Sequence, residues 1–129
     1  MTGVKICGLS TPEMLEAALS AGADYVGFVM VPASPRYVGP DTALRLVDQA
    51  RARAKTVLLF ANTPREEMDR LVRDLRPDLI QLHGRETIAD IRNAGNDHDL
   101  PVIRAIGVGS AEDLAALDEV EAAADHLLL

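Results

Sequence analysis

Tryptophan is missing from these 129 residues, and two tyrosines with two phenylalanines bring the aromatics to only 3%. That leaves no platform for stacked nucleobases and no aromatic cage for a cation. Cysteine occurs once, as Cys7, so an internal disulfide is impossible and a reducing compartment is expected. No apolar run approaches the ~20 residues of a membrane-spanning helix. The first residues carry none of the basic, apolar and small-residue sections of a secretory leader, and the expectation is a cytoplasmic protein. With 13 basic against 20 acidic side chains the net charge is −7, which argues against nucleic acid or an anionic membrane as main partner.

What is present is an ordinary globular composition, 48% apolar and 26% charged, of a length that reads as a single domain over 1–129. Such a chain buries roughly two-thirds of its unfolded surface. Six short β-like runs recur, at Val4–Cys7, Tyr25–Val31, Thr56–Ala61, Leu79–His83, Val102–Gly107 and His126–Leu129. Their starts are 21, 31, 23, 23 and 24 residues apart, the rhythm of a repeated βα unit, which calls for a parallel sheet covered by helices. Between the runs lie amphipathic segments with their own start signals. Thr11-Pro12 and Thr63-Pro64 each offer a cap before a first-turn proline, Thr63 with Glu66 has capping-box spacing, and Ser110 with Asp113 approximates it. Ala43, Leu44, Val47 and Ala50 form one apolar stripe, and Met68, Leu71, Val72 and Leu75 another.

Two architectures share this rhythm, an open doubly wound sheet and a (β/α)8 barrel. Against the open sheet, the chain has no acidic pair after the first strand, no Gly-rich phosphate turn and no G-x-G-x-x-G. The barrel needs eight units, so the chain would be a partial barrel of about six strands and five helices. Because Asp125 to Leu129 open a strand as the sequence stops, the expectation is a cut within the sixth strand.

In α/β folds, sites are built at the carboxyl ends of the strands. Cys7 lies at such an end, on the face it shares with Lys5, with Gly8 next and a helix start beyond. It reads either as a small buried apolar residue or as a base or nucleophile, which requires the thiolate of a group whose free pKa is ~8.5. Lys5 and the following helix start are the features that could favour that form. The longest interval holds an insertion after the second strand, Pro32-Ala33-Ser34-Pro35-Arg36-Tyr37-Val38-Gly39, a candidate binding loop. Arg36, on this proline-stiffened loop, suits bidentate recognition of a carboxylate, against the plainer reading of a solvated arginine. Gln81 and His83 share the inner face of the fourth strand, whereas His98 and His126 lie where no such logic applies. Arg104 reads as an inward charge of a lower barrel layer, with Ile103 and Ala105 toward the helices. No residue spacing suits a metal ion, and no Ser–His–acid set can be assembled.

Lys5-Ile6-Cys7-Gly8-Leu9, Gly27-Phe28-Val29 with Pro32-x-Ser34-Pro35-Arg36-Tyr37, and Gln81-Leu82-His83-Gly84, in this order and at these intervals, resemble the phosphoribosylanthranilate isomerase family over the whole chain. The resemblance implies a (β/α)8 barrel and a cofactor-free Amadori rearrangement in tryptophan biosynthesis. Its substrate is a small phosphorylated aminosugar, and the reaction needs a general acid for the ring oxygen and a base for the C2′ proton. By motif, Cys7 would be the base, Arg36 would hold the anthranilate carboxylate, and Gln81 and His83 would line the same mouth. The acid expected from the resemblance is an aspartate directly after a run like Leu127-Leu128-Leu129, and Asp125, at the other end of that strand, is a poor substitute. The phosphate site expected after the last two strands is likewise not among these residues, and weak or no activity is expected of this polypeptide alone. A non-catalytic partial barrel and a small doubly wound domain are the alternatives, and the exposed edges of the first and sixth strands would favour self-association.

Overall fold

The computed structural model describes residues 3–107, 109, 111–114 and 117–128, and within them six parallel strands alternate with five α-helices. In chain order these are β1 (Lys5–Ile6), α1 (Pro12–Ser20), β2 (Tyr25–Val29), α2 (Pro40–Ala50), β3 (Lys55–Phe60), α3 (Arg65–Leu75), β4 (Leu79–Leu82) and α4 (Ile88–His98). There follow β5 (Val102–Ala105), a 3-10 turn (Ala111–Leu114), α5 (Leu117–Ala123) and β6 (His126–Leu128). Ser110 and Leu129, both assigned above, lie outside the described residues. Every strand pairs with its successor, so the spatial order equals the chain order.

The sheet curls. Laid flat, β1 and β6 would be five strand spacings apart, ~24 Å. Instead Lys5 and Tyr25 from one end and His126 and Leu128 from the other line a single cavity of about 330 Å3, floored by Leu79 and Ile103. Six strands wrapped in this order form part of a (β/α)8 barrel rather than a doubly wound sheet, in which the order would reverse.

Side-chain alternation divides the apolar residues into two sets. The outer set, Val26, Phe28, Leu58, Phe60, Ile80, Leu82 and Val102, packs under the helices together with Leu15, Leu46, Leu71 and Ile91. The inner set is smaller: Val57, Leu79 and Ile103, with Tyr25 against them. Ile103 therefore faces the barrel interior, and Arg104 the helices. This reverses the expected placement of Arg104, because its register partner is Leu82 of the outer face.

At the amino ends of the strands a single device recurs. Asp24, Asp78 and Asp125 each stand just before an even-numbered strand, and each carboxylate accepts the N–H at the start of the preceding odd-numbered strand. The acceptances are from Val4 (2.8 Å), Thr56 (2.8 Å) and Val102 (2.9 Å). These bonds satisfy donors with no ladder partner and hold the strand starts level. Asp125 is thus a structural residue at the end of the sheet opposite Cys7.

Two helix starts differ from expectation. Thr11 caps α1 as its sequence implies, accepting from Met14 N at 3.2 Å. Pro64, extended at φ −55° and ψ 139°, is itself the residue before α3, so Thr63 falls one position too early to cap it. The reciprocal capping box instead joins Thr87 and Asp90 at the start of α4. On the outer layer, Glu16 of α1 receives both Arg53 nitrogens, at 2.7 and 2.9 Å, and these bonds lower its carboxyl pKa from 4.5 to about 2.

The stripe on α2 also needs correction: Leu46 is fully buried, whereas Leu44 is 41% exposed. Leu46, Val47 and Ala50 cluster around the direction of Ala43, while Leu44 points about 100° away from it. Leu46→Ala should accordingly destabilise the fold by about 2–5 kcal/mol, and Leu44→Ala by less than about 0.5 kcal/mol, as read from urea unfolding midpoints.

Candidate active site

Parallel strands in sequential order bring all the βα loops to one rim, and the chemistry-bearing residues gather there. Cys7 follows β1 directly and is partly exposed. Its sulfur lies over Gly27 of β2: a Cβ on that glycine would stand 2.9 Å from Cys7 Sγ and 3.3 Å from Lys5 Nζ. Glycine is thus what makes room for the thiol, and the lysine ammonium shares the same recess.

The inserted loop is ordered by its own backbone. Ser34 N–H donates to Val31 O (2.9 Å), Tyr37 N–H to Ser34 O (3.1 Å), and Val38 N–H returns to Val29 O (3.1 Å). Ser34 Oγ accepts Arg36 N–H at 3.1 Å. These turns aim Arg36 back across Gly8, where its Nη2 donates to the Cys7 carbonyl oxygen. Gly8 adopts φ +78°, and a Cβ there would collide with the guanidinium. Two separate facts, the positive φ and the overlying arginine, therefore call for glycine at this position. The remaining Arg36 donors have no protein acceptor among the described residues, so the fork is open to a planar anion.

Gln81 occupies the inner face of β4 between Leu59 and Ile103 and is 1% exposed. Its Oε1 is buried with no hydrogen-bond partner among the described residues. His83, just past β4, is exposed, and its N–H donates to Phe60 O at 2.9 Å. The structure joins Cys7 to Arg36 directly. Gln81 and His83 lie three strand spacings away, ~14 Å along the sheet and less across its curl. His98, of α4, instead meets Asp69 of α3 at 2.8 Å on the outer layer, remote from the rim.

Two residues at the rim carry no signal in the sequence reading. Glu86, in the β4–α4 loop, accepts N–H groups from Asn62 (2.6 Å) and Gly84 (2.8 Å), and Arg104 pairs with it at 2.7 Å. Asn62, at φ 52° in the loop after β3, accepts Arg85 N–H at 2.6 Å. A cleft of about 260 Å3 between α3 and α4 opens on the outer side of these loops, over Phe60, Met68 and Leu82. Among the described residues no cluster of His, Cys, Asp and Glu could hold a metal ion, and no helix is long and apolar enough to cross a membrane.

Comparison with known proteins shows the family of the chain. The family profile described as N-(5′-phosphoribosyl)anthranilate isomerase matches residues 4–129. The chain belongs to the N-(5′-phosphoribosyl)anthranilate isomerase family. It is 49% identical to the isomerase of Bradyrhizobium sp. ORS 278 over 97% of this chain and 57% of that enzyme. It is 51% identical to that of Nitrobacter winogradskyi, over 97% of this chain and 56% of that enzyme. The chain thus spans somewhat over half the length of the curated relatives it matches. The crystal structure of the Thermotoga maritima isomerase superposes with a TM-score of 0.85 at 32% identity, covering 91% of this chain and 56% of that one. A family structure in complex with reduced 1-(o-carboxyphenylamino)-1-deoxyribulose 5-phosphate superposes equally, TM-score 0.85 at 32% identity, over 91% and 59% of the two chains.

The packing at Gly8 gives a direct test of how the isomerase-family rim is built. Gly8→Ala should destabilise the chain by about 1–2 kcal/mol through the left-handed backbone alone. It should also displace the Arg36 guanidinium from the Cys7 carbonyl. Urea unfolding and a crystal structure of the variant measure the two effects separately.

Proposed function

We propose that this chain supplies the base side of a phosphoribosylanthranilate isomerase, acting as the amino-terminal part of a (β/α)8 barrel in tryptophan biosynthesis. The observation that carries this reading is the juxtaposition at the end of β1: the Arg36 guanidinium lies on the carbonyl of Cys7, and its other donors have no acceptor among the described residues. A carboxylate held by that fork brings the attached aminosugar over the same strand end as the thiol.

In this reading the furanose C1′–O4′ bond opens first: the ring oxygen takes a proton from the acid supplied by the rest of the barrel, and the nitrogen lone pair forms a C1′=N iminium. The C2′ proton then leaves to the Cys7 sulfur, its electron pair forms C1′=C2′ as the iminium pair returns to nitrogen, and the resulting enaminol tautomerises to the aminoketose. No electrons leave the substrate and no cofactor is required. The carboxylate forms two parallel hydrogen bonds with Arg36, which fixes the plane of the anthranilate ring. Gln81, whose amide oxygen has no partner among the described residues, and His83 line the same mouth from β4. A cytosolic setting and a phosphorylated small-molecule substrate belong to the same proposal. The unpaired outer edges of β1 and β6 favour association of this chain with itself.

The experiment is turnover of N-(5′-phosphoribosyl)anthranilate, followed by the fluorescence of its anthranilate ring. It compares this chain alone with the chain fused to the remaining carboxyl-terminal part of a matched relative. The fusion should be active, and inactivity of a folded fusion would overturn the proposal. Within it, Cys7→Ala should lower kcat by about 10²–10⁴ with little change in unfolding midpoint. Near-normal turnover would remove the thiol from the mechanism. Arg36→Met, which deletes charge-assisted bonds of about 1.5–3 kcal/mol, should raise KM by roughly ten- to a hundredfold. An unchanged KM would count against the carboxylate clamp.

A further inference from the structure

The loop joining β4 to α4, Gly84-Arg85-Glu86-Thr87, is held far more tightly than a surface connection requires. Glu86 Oε1 accepts Gly84 N–H (2.8 Å) and Arg104 Nη1 (2.7 Å), and Oε2 accepts Asn62 N–H (2.6 Å) from the preceding βα loop. Arg104 also donates to the carbonyls of Leu82 (3.3 Å) and Gly84 (2.7 Å). Asn62 completes the circuit by accepting Arg85 N–H at 2.6 Å. The two loops are thus tied to each other through Glu86 and Asn62. The side chains of Glu86 and Arg104 are only 10% and 14% exposed. At Gly84 a Cβ would stand 2.6 Å from Asn62 Oδ1 and 2.8 Å from Asn62 N, so the two loops are in direct backbone contact.

The circuit converges on His83. The carbonyls on either side of it, of Leu82 and Gly84, are both held by Arg104, and its own N–H is held by Phe60 O at 2.9 Å. The backbone of His83 is thereby fixed from both directions, while its ring has no hydrogen-bond partner among the described residues. Stability alone does not account for such an arrangement, since a buried ion pair contributes little more than well-packed apolar residues of similar volume. We infer that Glu86, through Arg104 and Asn62, is a positioning residue that presents the His83 imidazole to the substrate at the rim. The inference rests on the functional reading above, in which His83 borders the bound aminosugar.

The test has two arms, the first on the 129-residue chain and the second on its fusion to the carboxyl-terminal part of a matched relative. In the first, amide hydrogen exchange is followed by NMR in Glu86→Gln. Exchange at Asn62, Gly84 and Arg85 should accelerate at least tenfold, while that of β2 and β3 stays as in the wild type. Unchanged exchange at the loop amides, or uniform acceleration everywhere, overturns the proposal. In the second, binding of reduced 1-(o-carboxyphenylamino)-1-deoxyribulose 5-phosphate is titrated in wild type, Glu86→Gln, His83→Ala and the double variant. Glu86→Gln should weaken binding on the order of tenfold, and in the His83→Ala background it should add nothing, the coupling expected of residues acting in series. Additive losses overturn the positioning role. Should Glu86→Gln alone fail to fold, Glu86→Gln with Arg104→Gln removes both charges and carries both arms. Failure of the wild type to bind counts against the functional reading, and the exchange arm then decides the loop circuit by itself.

Discussion

Pairing of each parallel strand with its immediate successor is the constraint from which the rest follows. Order and direction together put every strand's carboxyl end on one rim and every return helix on the outside. Cys7, the Arg36 loop and the loop carrying His83 and Glu86 come from three separate βα units, and this order brings them to one rim. The level of the rim depends in turn on the opposite end of the sheet, where Asp24, Asp78 and Asp125 hold alternate strand starts together. A one-residue slip in any pair would exchange the inner and outer faces and bury polar groups such as Gln81 under helices.

The rim is shaped by missing side chains as much as by present ones. Gly27 leaves room for the Cys7 sulfur, Gly8 for the guanidinium of Arg36, and Gly84 for the backbone of Asn62. Each of these glycines follows or lies within a different strand, and each admits a group from its neighbour. The thiol and the guanidinium are therefore seated by close backbone approach, a geometry set by packing rather than by long flexible side chains.

Much of this was legible in the sequence because it is local. The strand rhythm, the cap at Thr11, the stripe on α3, and the position of Cys7 at a strand end all depend on residues a few places apart. The face of Leu44 was misread because one more apolar residue at the edge of a stripe looks the same as one within it. Thr63 was misread because a proline in extended conformation can stand before a helix as well as inside its first turn. Arg104 and Glu86 could not have been paired from the sequence: they are 18 residues apart, on different elements, and the pairing depends on the curl and register of β4 and β5. Gly84-Arg85-Glu86 reads as an ordinary turn before a helix, and only the fold gives its carboxylate three donors.

The corrected position of Arg104 bears on how the rim can be stiff and still open. Fastening the loops from inside the barrel would place charged side chains in the space a substrate needs, and their partners would compete for its carboxylate and hydroxyl groups. Arg104 reaches the β4–α4 loop from the helix side of the sheet and spends its donors on Glu86 and on backbone carbonyls. Gln81 and the thiol on the inner face, and Arg36 on the loop above it, stay uncommitted to that circuit. Strand alternation makes the separation possible: successive residues on β5 serve opposite faces, so Ile103 lines the interior while its neighbour anchors the loops above. Rigidity is thus built on one side of the sheet and chemistry on the other, and the strand ends are the only place where the two meet.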